Sequence, residues 1–408
     1  MKKGLLLSVV ASGFIFAGGN IAPVQPVVPA AAPAACDFWG SVGARYEFKD
    51  AGVTGKKFGD KANNTWKTSV VLGVEKDLGY GFGFGAELGA YSHLGLTNIA
   101  GSTQNRAELS QLYVTYKVGN TAIKAGRQAL PESLSPWAFS DRTLGVLDNA
   151  YNGIVVVNTD IANTTLVGAW IASLTPKNTT YKVNGSDKGL FMLAAEYTGV
   201  ANTTFDTSAY FIPSNGAKGK AFSVWASAKT KISGIDLGLQ TAYAKADAGS
   251  IAILNGATGT KASYAISAYA GTKFNAFDAK LTLSFINDGD AQLNLGSSPY
   301  GLALDLSDTS GLWSEFSADA LASEVVAGNK QKVAKLDLGY TLPSNYGKVY
   351  LDTIVDKPTT GKTAFGAALG YKFKVAGVNG KVEYRYIKNQ KFTSSKAQRV
   401  RIEGTYKF

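Results

Sequence analysis

Few side chains in this 408-residue sequence could do covalent chemistry. It holds one histidine, His93, and one cysteine, Cys36. A Ser–His–acid triad would have to use His93, and no nucleophile stands near it in a recognisable context. One Cys and one His cannot build a zinc site. Neither a P-loop nor a G-x-G-x-x-G following a strand is present. These features argue against an enzyme with catalytic residues and place His93 in a lumen or at a rim. What remains is charge. Residues 126–151 (GRQALPESLSPWAFSDRTLGVLDNAY) carry two prolines, the acids Glu132, Asp141 and Asp148, and Arg142. Elsewhere Arg45, Arg385, Arg399 and Arg401 stand at alternating positions, with Arg127, Lys381 and Lys67 as extensions of the same basic strip. Clustered guanidinium groups repel unless they are hydrated or faced by acids. An acidic wall facing a basic one across a narrow water-filled passage would orient dipolar solutes and set ion preference. The bland alternative is that these charges solvate a wide lumen and pair with Glu47, Glu383 and Glu403.

Either reading needs a scaffold that turns these residues inward. From Phe38 the sequence alternates: Phe38, Gly40, Val42, Ala44, Tyr46 and Phe48 share one face, and Trp39, Ser41, Gly43, Arg45 and Glu47 the other. Trp66, Val70, Leu72 and Val74 oppose Lys67, Ser69, Gly73 and Glu75; Phe82, Phe84, Ala86, Leu88 and Ala90 oppose Gly83, Gly85, Glu87, Gly89 and Tyr91. Fifteen more segments centre on 112, 124, 155, 169, 193, 208, 225, 240, 267, 282, 337, 351, 368, 384 and 402, for eighteen in all. Short turns at 77–81, 118–121, 159–163, 199–202, 233–234, 275–276, 344–347 and 377–380 alternate with longer polar loops. Segments of about 9–11 residues suit tilted strands crossing a bilayer, and short turns on one side with long loops on the other suit an outer-membrane barrel. Trp66, Tyr46, Phe82, Tyr116, Tyr197, Phe222, Tyr371 and Tyr384 at strand ends read as aromatic girdles. Lipid tolerates no unpaired strand edge, so the last strand must return to the first. The fold class is therefore an all-β, closed antiparallel transmembrane barrel of about 18 strands. Pairing at its seam puts Arg45 near Arg401 and Arg385 close to Arg399. The longest connection, 287–329, leaves open whether residues 313–326 (WSEFSADALASEVV) form a short helix or an extra strand pair.

Composition agrees. Glycine (46), Tyr and Phe (20 each) and Trp (6) are abundant, charged residues make up 17%, and mean hydropathy is near zero. No internal stretch reaches the 18 or so apolar residues of a spanning helix. Residues 1–19 read as a secretory signal, with Lys2 and Lys3 before a short apolar run and cleavage between 19 and 22. Residues 20–37 form a Pro/Ala-rich segment that reads as an extended tether, and 38–408 the barrel. The stretch before Cys36 departs from a lipidation motif, and a lone cysteine permits no internal disulfide. The formal charge of +11 forms no basic helix or RNA-binding motif, so nucleic acid is not a partner. Lys56, Lys57, Lys218 and Lys220 in loops suit lipopolysaccharide phosphates. Asn163 and Asn202, each followed by x-Thr, read as turn residues.

Residues 109–117 (LSQLYVTYK), 124–128 (KAGRQ), 140–143 (SDRT) and the terminal RIEGTYKF resemble the Campylobacter-type major outer membrane protein family, eighteen-stranded porins of epsilonproteobacteria. The pattern extends over most of the chain, the matching text over these motifs alone. The resemblance implies a passive channel for ions and small hydrophilic solutes, an outer-membrane location and a homotrimer. It also implies a third loop folded into the lumen, which would bring Glu132, Asp141, Arg142 and Asp148 to a constriction. Phe408 would be the terminal aromatic read by the barrel-assembly machinery. Some members bind calcium near the constriction; no ligand set matches here, so no cofactor or metal is assigned. The cation preference common in the family sits poorly with the basic charge. A surface-structural or adhesive barrel with a closed pore is the alternative function.

Overall fold

The computed structural model describes residues 36–50, 64–93, 105–130, 140, 142–147, 149–176, 181–183, 187–214, 219–247, 261–289, 330–359, 362–388 and 396–408. Eighteen long strands run through them: β1 (Asp37–Asp50), β2 (Asn64–Gly79), β3 (Phe82–Ser92), β4 (Arg106–Val118), β5 (Thr121–Gln128), β6 (Asn149–Asn158), β7 (Thr164–Pro176), β8 (Leu190–Tyr197) and β9 (Thr203–Ile212) form the first half. The second half is β10 (Ala221–Ile232), β11 (Ile235–Ala246), β12 (Ser263–Phe274), β13 (Phe277–Ile286), β14 (Gln331–Thr341), β15 (Lys348–Pro358), β16 (Ala364–Val375), β17 (Val378–Lys388) and β18 (Lys396–Lys407). Each pairs antiparallel with its neighbours in sequence. Strand β18 then pairs with β1, from Ser41 opposite Lys407 to Asp50 opposite Gln398. The sheet is closed. All eighteen strand centres expected from the alternation fall inside these strands.

Two rules produce this wall. The first is period 2. Positions such as Val42, Leu72, Leu88, Val114, Leu193, Leu239, Leu283 and Leu369 are exposed on the outer surface. The alternate positions, including Ser69, Ser208, Ser227, Gln240, Ser267 and Thr282, are buried on the inner one. A water-soluble fold would hide the Leu and Val row; here it forms a continuous outer belt that only lipid can cover. The second rule is turn chemistry. Tyr80 and Gly81, Ser233 and Gly234, and Ala376 and Gly377 all have positive φ, the mirror-image two-residue turn whose twist matches that of the flanking strands. Asn163 and Asn202 also adopt positive φ, consistent with their reading as turn residues. Several boundaries shift: the turns expected at 77–81, 118–121 and 377–380 shrink to the residue pairs 80–81, 119–120 and 376–377.

Aromatic pairs sit at both strand ends. Tyr46 and Trp66 lie 5.7 Å apart on the loop side, and Phe82–Tyr116 and Phe277–Tyr340 are 4.6 Å apart on the turn side. Inside, tyrosines lie flat over glycines. Tyr113 of β4 crosses Gly85 of β3 and donates to Glu75 of β2 at 2.7 Å. Tyr350 of β15 crosses Gly370 of β16 and donates to Glu383 of β17 at 2.6 Å. A Cβ on either glycine would stand 2.3 or 2.2 Å from the ring. Each crossing therefore braces strands two apart.

The segment 313–326, the signal residues 1–19 and most of the 20–37 tether lie outside the described residues. Leu369→Arg, on the outer belt, is expected to destabilise the barrel by about 2–4 kcal/mol if the belt meets lipid. Urea unfolding in lipid vesicles measures it; a change within about 0.5 kcal/mol, as at a water-facing surface, would defeat the lipid assignment.

Candidate functional site: a charged seam and an inward loop

The inner face of β17, β18 and β1 is a network of ions. Glu47 on β1 lies between Arg401 at 2.5 Å and Arg399 at 3.6 Å. Glu383 on β17 meets Arg385 at 2.6 Å, Arg399 at 3.2 Å and Lys381 at 3.9 Å. Glu403 on β18 meets Arg45 at 2.7 Å and Lys381 at 3.1 Å. Register explains the order. Arg45 stands opposite Glu403 and Glu47 opposite Arg401, so Arg45 and Arg401 are diagonal neighbours rather than direct ones. Arg385 does face Arg399 directly, with Glu383 bridging the two. The expected strip is thus interleaved with carboxylates, and the pairing with Glu47, Glu383 and Glu403 describes its geometry. Five cations still outnumber three carboxylates. Arg399 is only 1% exposed, so the network lies deep in the wall.

Arg127 needs correction. It stands opposite Leu112 on one side and Asn152 on the other, sharing the parity of lipid-facing Leu112. Its guanidinium donates to Asn152 Oδ1 at 3.2 Å and the Leu109 carbonyl at 3.0 Å. The basic residue that β5 turns inward is Lys124, whose ammonium lies 3.5 Å from the Tyr113 ring centroid. Outward Ile123 beside it was the signal in the sequence. Lys67 keeps its inward parity next to Ser69 and lies 5.5 Å from the Tyr91 ring.

The third loop returns to the inner wall. Its base is pinned where Ser140 N–H donates to the Leu130 carbonyl at 2.9 Å and Leu130 N–H to Ser140 Oγ at 3.1 Å. Ala129 N–H donates to Gln111 Oε1 at 3.0 Å. Beyond it, Arg142–Thr143 and Val146–Leu147 form a two-residue hairpin turning through Leu144 and Gly145, both at positive φ. The hairpin lies against β1–β3. Arg142 forks onto Glu87 of β3 at 2.7 and 3.1 Å, and Gln111 donates to the same carboxylate at 3.0 Å. Ser69 Oγ of β2 donates to the Leu144 carbonyl at 2.7 Å. Glycines leave room for this approach: a Cβ at Gly43 would meet Leu144 at 3.1 Å, one at Gly89 would meet Val146 at 2.9 Å, and one at Gly145 would meet Ser41 at 2.5 Å. Glu87 was missed as a site residue, although its inward parity was legible. The loop acids Glu132, Asp141 and Asp148 lie outside the described residues, as do Lys56, Lys57 and Lys218.

His93, just past β3, is buried, with Nδ1 3.0 Å from the Trp66 carbonyl. Burial, and secondarily Lys67, holds its pKa below the ordinary value of 6.5. Among the described residues no three His, Cys, Asp or Glu groups come together to hold a metal ion.

A closed ring of eighteen antiparallel strands, apolar outside and ionic on the inner face of β17–β1, is a fold shared with solved porin structures. The chain is similar in structure to OccK3 (OpdO) of Pseudomonas aeruginosa, with TM-score 0.65, 12% identity and coverage of 91% of this chain and 96% of that one. It is similar to a BenF-like porin from Pseudomonas fluorescens Pf-5, with TM-score 0.67, 14% identity and coverage of 91% and 98%. OpdK of Pseudomonas aeruginosa, solved with vanillate, gives the same TM-score, identity and coverage. No protein-family model and no curated sequence matches the chain.

Two outcomes follow. Arg142→Ala leaves Glu87, itself 1% exposed on its side chain, without its fork, and is expected to cost roughly 2 kcal/mol. That is less than for a fully buried pair, because 35% of the Arg142 side chain is exposed. Guanidinium unfolding reads it, and an unchanged midpoint would mean that other contacts hold the hairpin. For His93, the unfolded chain binds more protons than the folded one below about pH 6.5, so its contribution to stability falls as pH drops through that range. His93→Gln should narrow the difference in melting temperature between neutral and mildly acidic buffer; an unaltered difference would place that pH dependence elsewhere.

Proposed function

We propose that this chain is an outer-membrane porin, a water-filled channel for passive diffusion of ions and small hydrophilic solutes. The observation that carries the reading is inverted polarity in a closed barrel, lipid-compatible outside and ionic inside at β17–β1. Similarity of fold to the Pseudomonas porins supports it. The text of residues 109–117, 124–128, 140–143 and the terminus supports a place near the Campylobacter-type major outer membrane proteins. On that reading residues 1–19 direct export, Phe408 is the signal for the barrel-assembly machinery, and the channel assembles as a homotrimer among lipopolysaccharide. Glu132, Asp141 and Asp148 would face the seam arginines across the constriction, and no resident metal is required.

An excess of two positive charges in the seam network would favour anions, in keeping with a neighbour solved with a small carboxylate. Reconstitution in planar bilayers should give discrete conductance steps, and a reversal potential under a salt gradient would give the sign of selectivity. Arg385→Ala/Arg399→Ala/Arg401→Ala leaves Arg45 and Lys381 against three carboxylates, and should move the reversal potential toward cations. Folded barrels migrate faster in unheated gels, which checks that the variant assembles. Absence of conductance from the folded wild type would reject the channel and favour an adhesive or structural barrel with a closed pore.

A further inference from the structure

The outer face carries an asymmetry of charge that channel function does not use. On the lumen side acids and bases are mixed. Strand positions of outward parity hold Lys76, Arg127, Lys245, Lys332, Lys357 and Lys388 and, among the described side chains, no acid. Lys76 lies near a short turn; the other five lie at the loop ends. Lys332 of β14 stands directly opposite Lys357 of β15, and Lys388 of β17 opposite Lys396 of β18. Like charges directly opposite on one face of a sheet are destabilising unless something compensates them. Lys245, Lys332, Lys357 and Lys388 are exposed, and none forms an ion pair among the described residues. Their neighbours are aromatic: Phe222 stands opposite Lys245, Phe285 opposite Lys332 and Phe365 opposite Lys388. Rings mark the edge of the apolar belt, and a lysine stem beside them lifts its ammonium into the headgroup layer.

We propose that the outer loop-side rim of β14–β18, centred on Lys332, Lys357 and Lys388, binds the phosphates of a phosphorylated glycolipid in the facing leaflet. The site is on the wall and not on the loop lysines. Lys357 and Lys388 are two strands apart and offset by two residues along them, roughly 12 Å, which suits a headgroup carrying more than one phosphate. One phosphate relieves the opposed Lys332–Lys357 pair and a second meets Lys388, while the acyl chains cover the Leu and Val belt below. The proposal rests on the membrane-barrel reading, because without a lipid belt the rings and lysines would face water alike.

The test uses the full barrel in neutral detergent, mixed with lipid A, with dephosphorylated lipid A, or with inorganic phosphate. Lipid retained through size-exclusion chromatography is measured for the wild type and for Lys332→Gln/Lys357→Gln/Lys388→Gln. Each lysine removed should weaken retention of lipid A by about fivefold, so the triple variant by about a hundredfold. Dephosphorylated lipid A should be retained weakly by both, and inorganic phosphate should displace lipid A from neither. Lys332→Arg/Lys357→Arg/Lys388→Arg should retain lipid A as the wild type does, which separates charge from damage to the fold. Equal retention by the glutamine variant, or equal retention of the dephosphorylated lipid, overturns the proposal. Conductance is read on the same samples: a wild type that binds lipid A but does not conduct would overturn the channel and leave the lipid site standing.

Discussion

Every other feature of this structure depends on the cost of an unpaired backbone amide or carbonyl in hydrocarbon. Each such group costs several kcal/mol, so a sheet in lipid has no affordable edge. The chain meets that constraint at one place only. Strands β1 and β18 are the farthest apart in sequence, yet their register is continuous, ending where Gly40 and Phe408 exchange backbone hydrogen bonds of 2.8 and 3.0 Å. Closure then dictates which way every side chain points. Once the ring is shut, a one-residue slip anywhere would turn a row of leucines inward and a row of arginines into lipid.

The charged network sits on that seam. Apolar contact contributes little to holding β17, β18 and β1 together on their inner side, where Ile387 of β17 is the fully buried apolar residue. Alternating carboxylates and guanidinium groups do it instead: Glu383 takes partners from its own strand and from β18, and Glu47 takes two arginines from β18. Such pairs are favourable only when the remaining lone pairs are occupied. Tyr350 and Thr65 supply part of that requirement, donating to Glu383 and Glu47. Beside this network, against β1–β3, the third loop uses the same device once more, through Arg142 and Glu87.

Strand positions and faces were legible because alternation is a local signal, repeated in every segment from Phe38 to Phe408. Partners were harder. Arg45 and Arg401 share a face and are neighbours as expected, but their direct partners, Glu403 and Glu47, follow from a register that depends on turn lengths summed around the ring. Arg127 was misplaced although its face was legible: it stands four residues after outward Ile123, and the register runs unbroken through Gly126. The hairpin at Arg142–Leu147 and the two-residue strand Tyr181–Lys182 on β7 are too short to show a period at all. Glu87 escaped notice for another reason: its role exists only because a distant loop descends onto it.

The pairing of Gly40 with Phe408 has one more consequence. The two ends of the wall are adjacent in space and in register, so the ring has no intrinsic origin; the order of its staves, not the point at which the polypeptide enters, defines the shape. A circularly permuted chain, opened at the tight turn of Ser233 and Gly234 and joined across the old seam, would trace the same ring. What would change is the setting of Gly40 and Phe408, whose backbone pairing would then lie inside a continuous stretch of wall and not between its two ends.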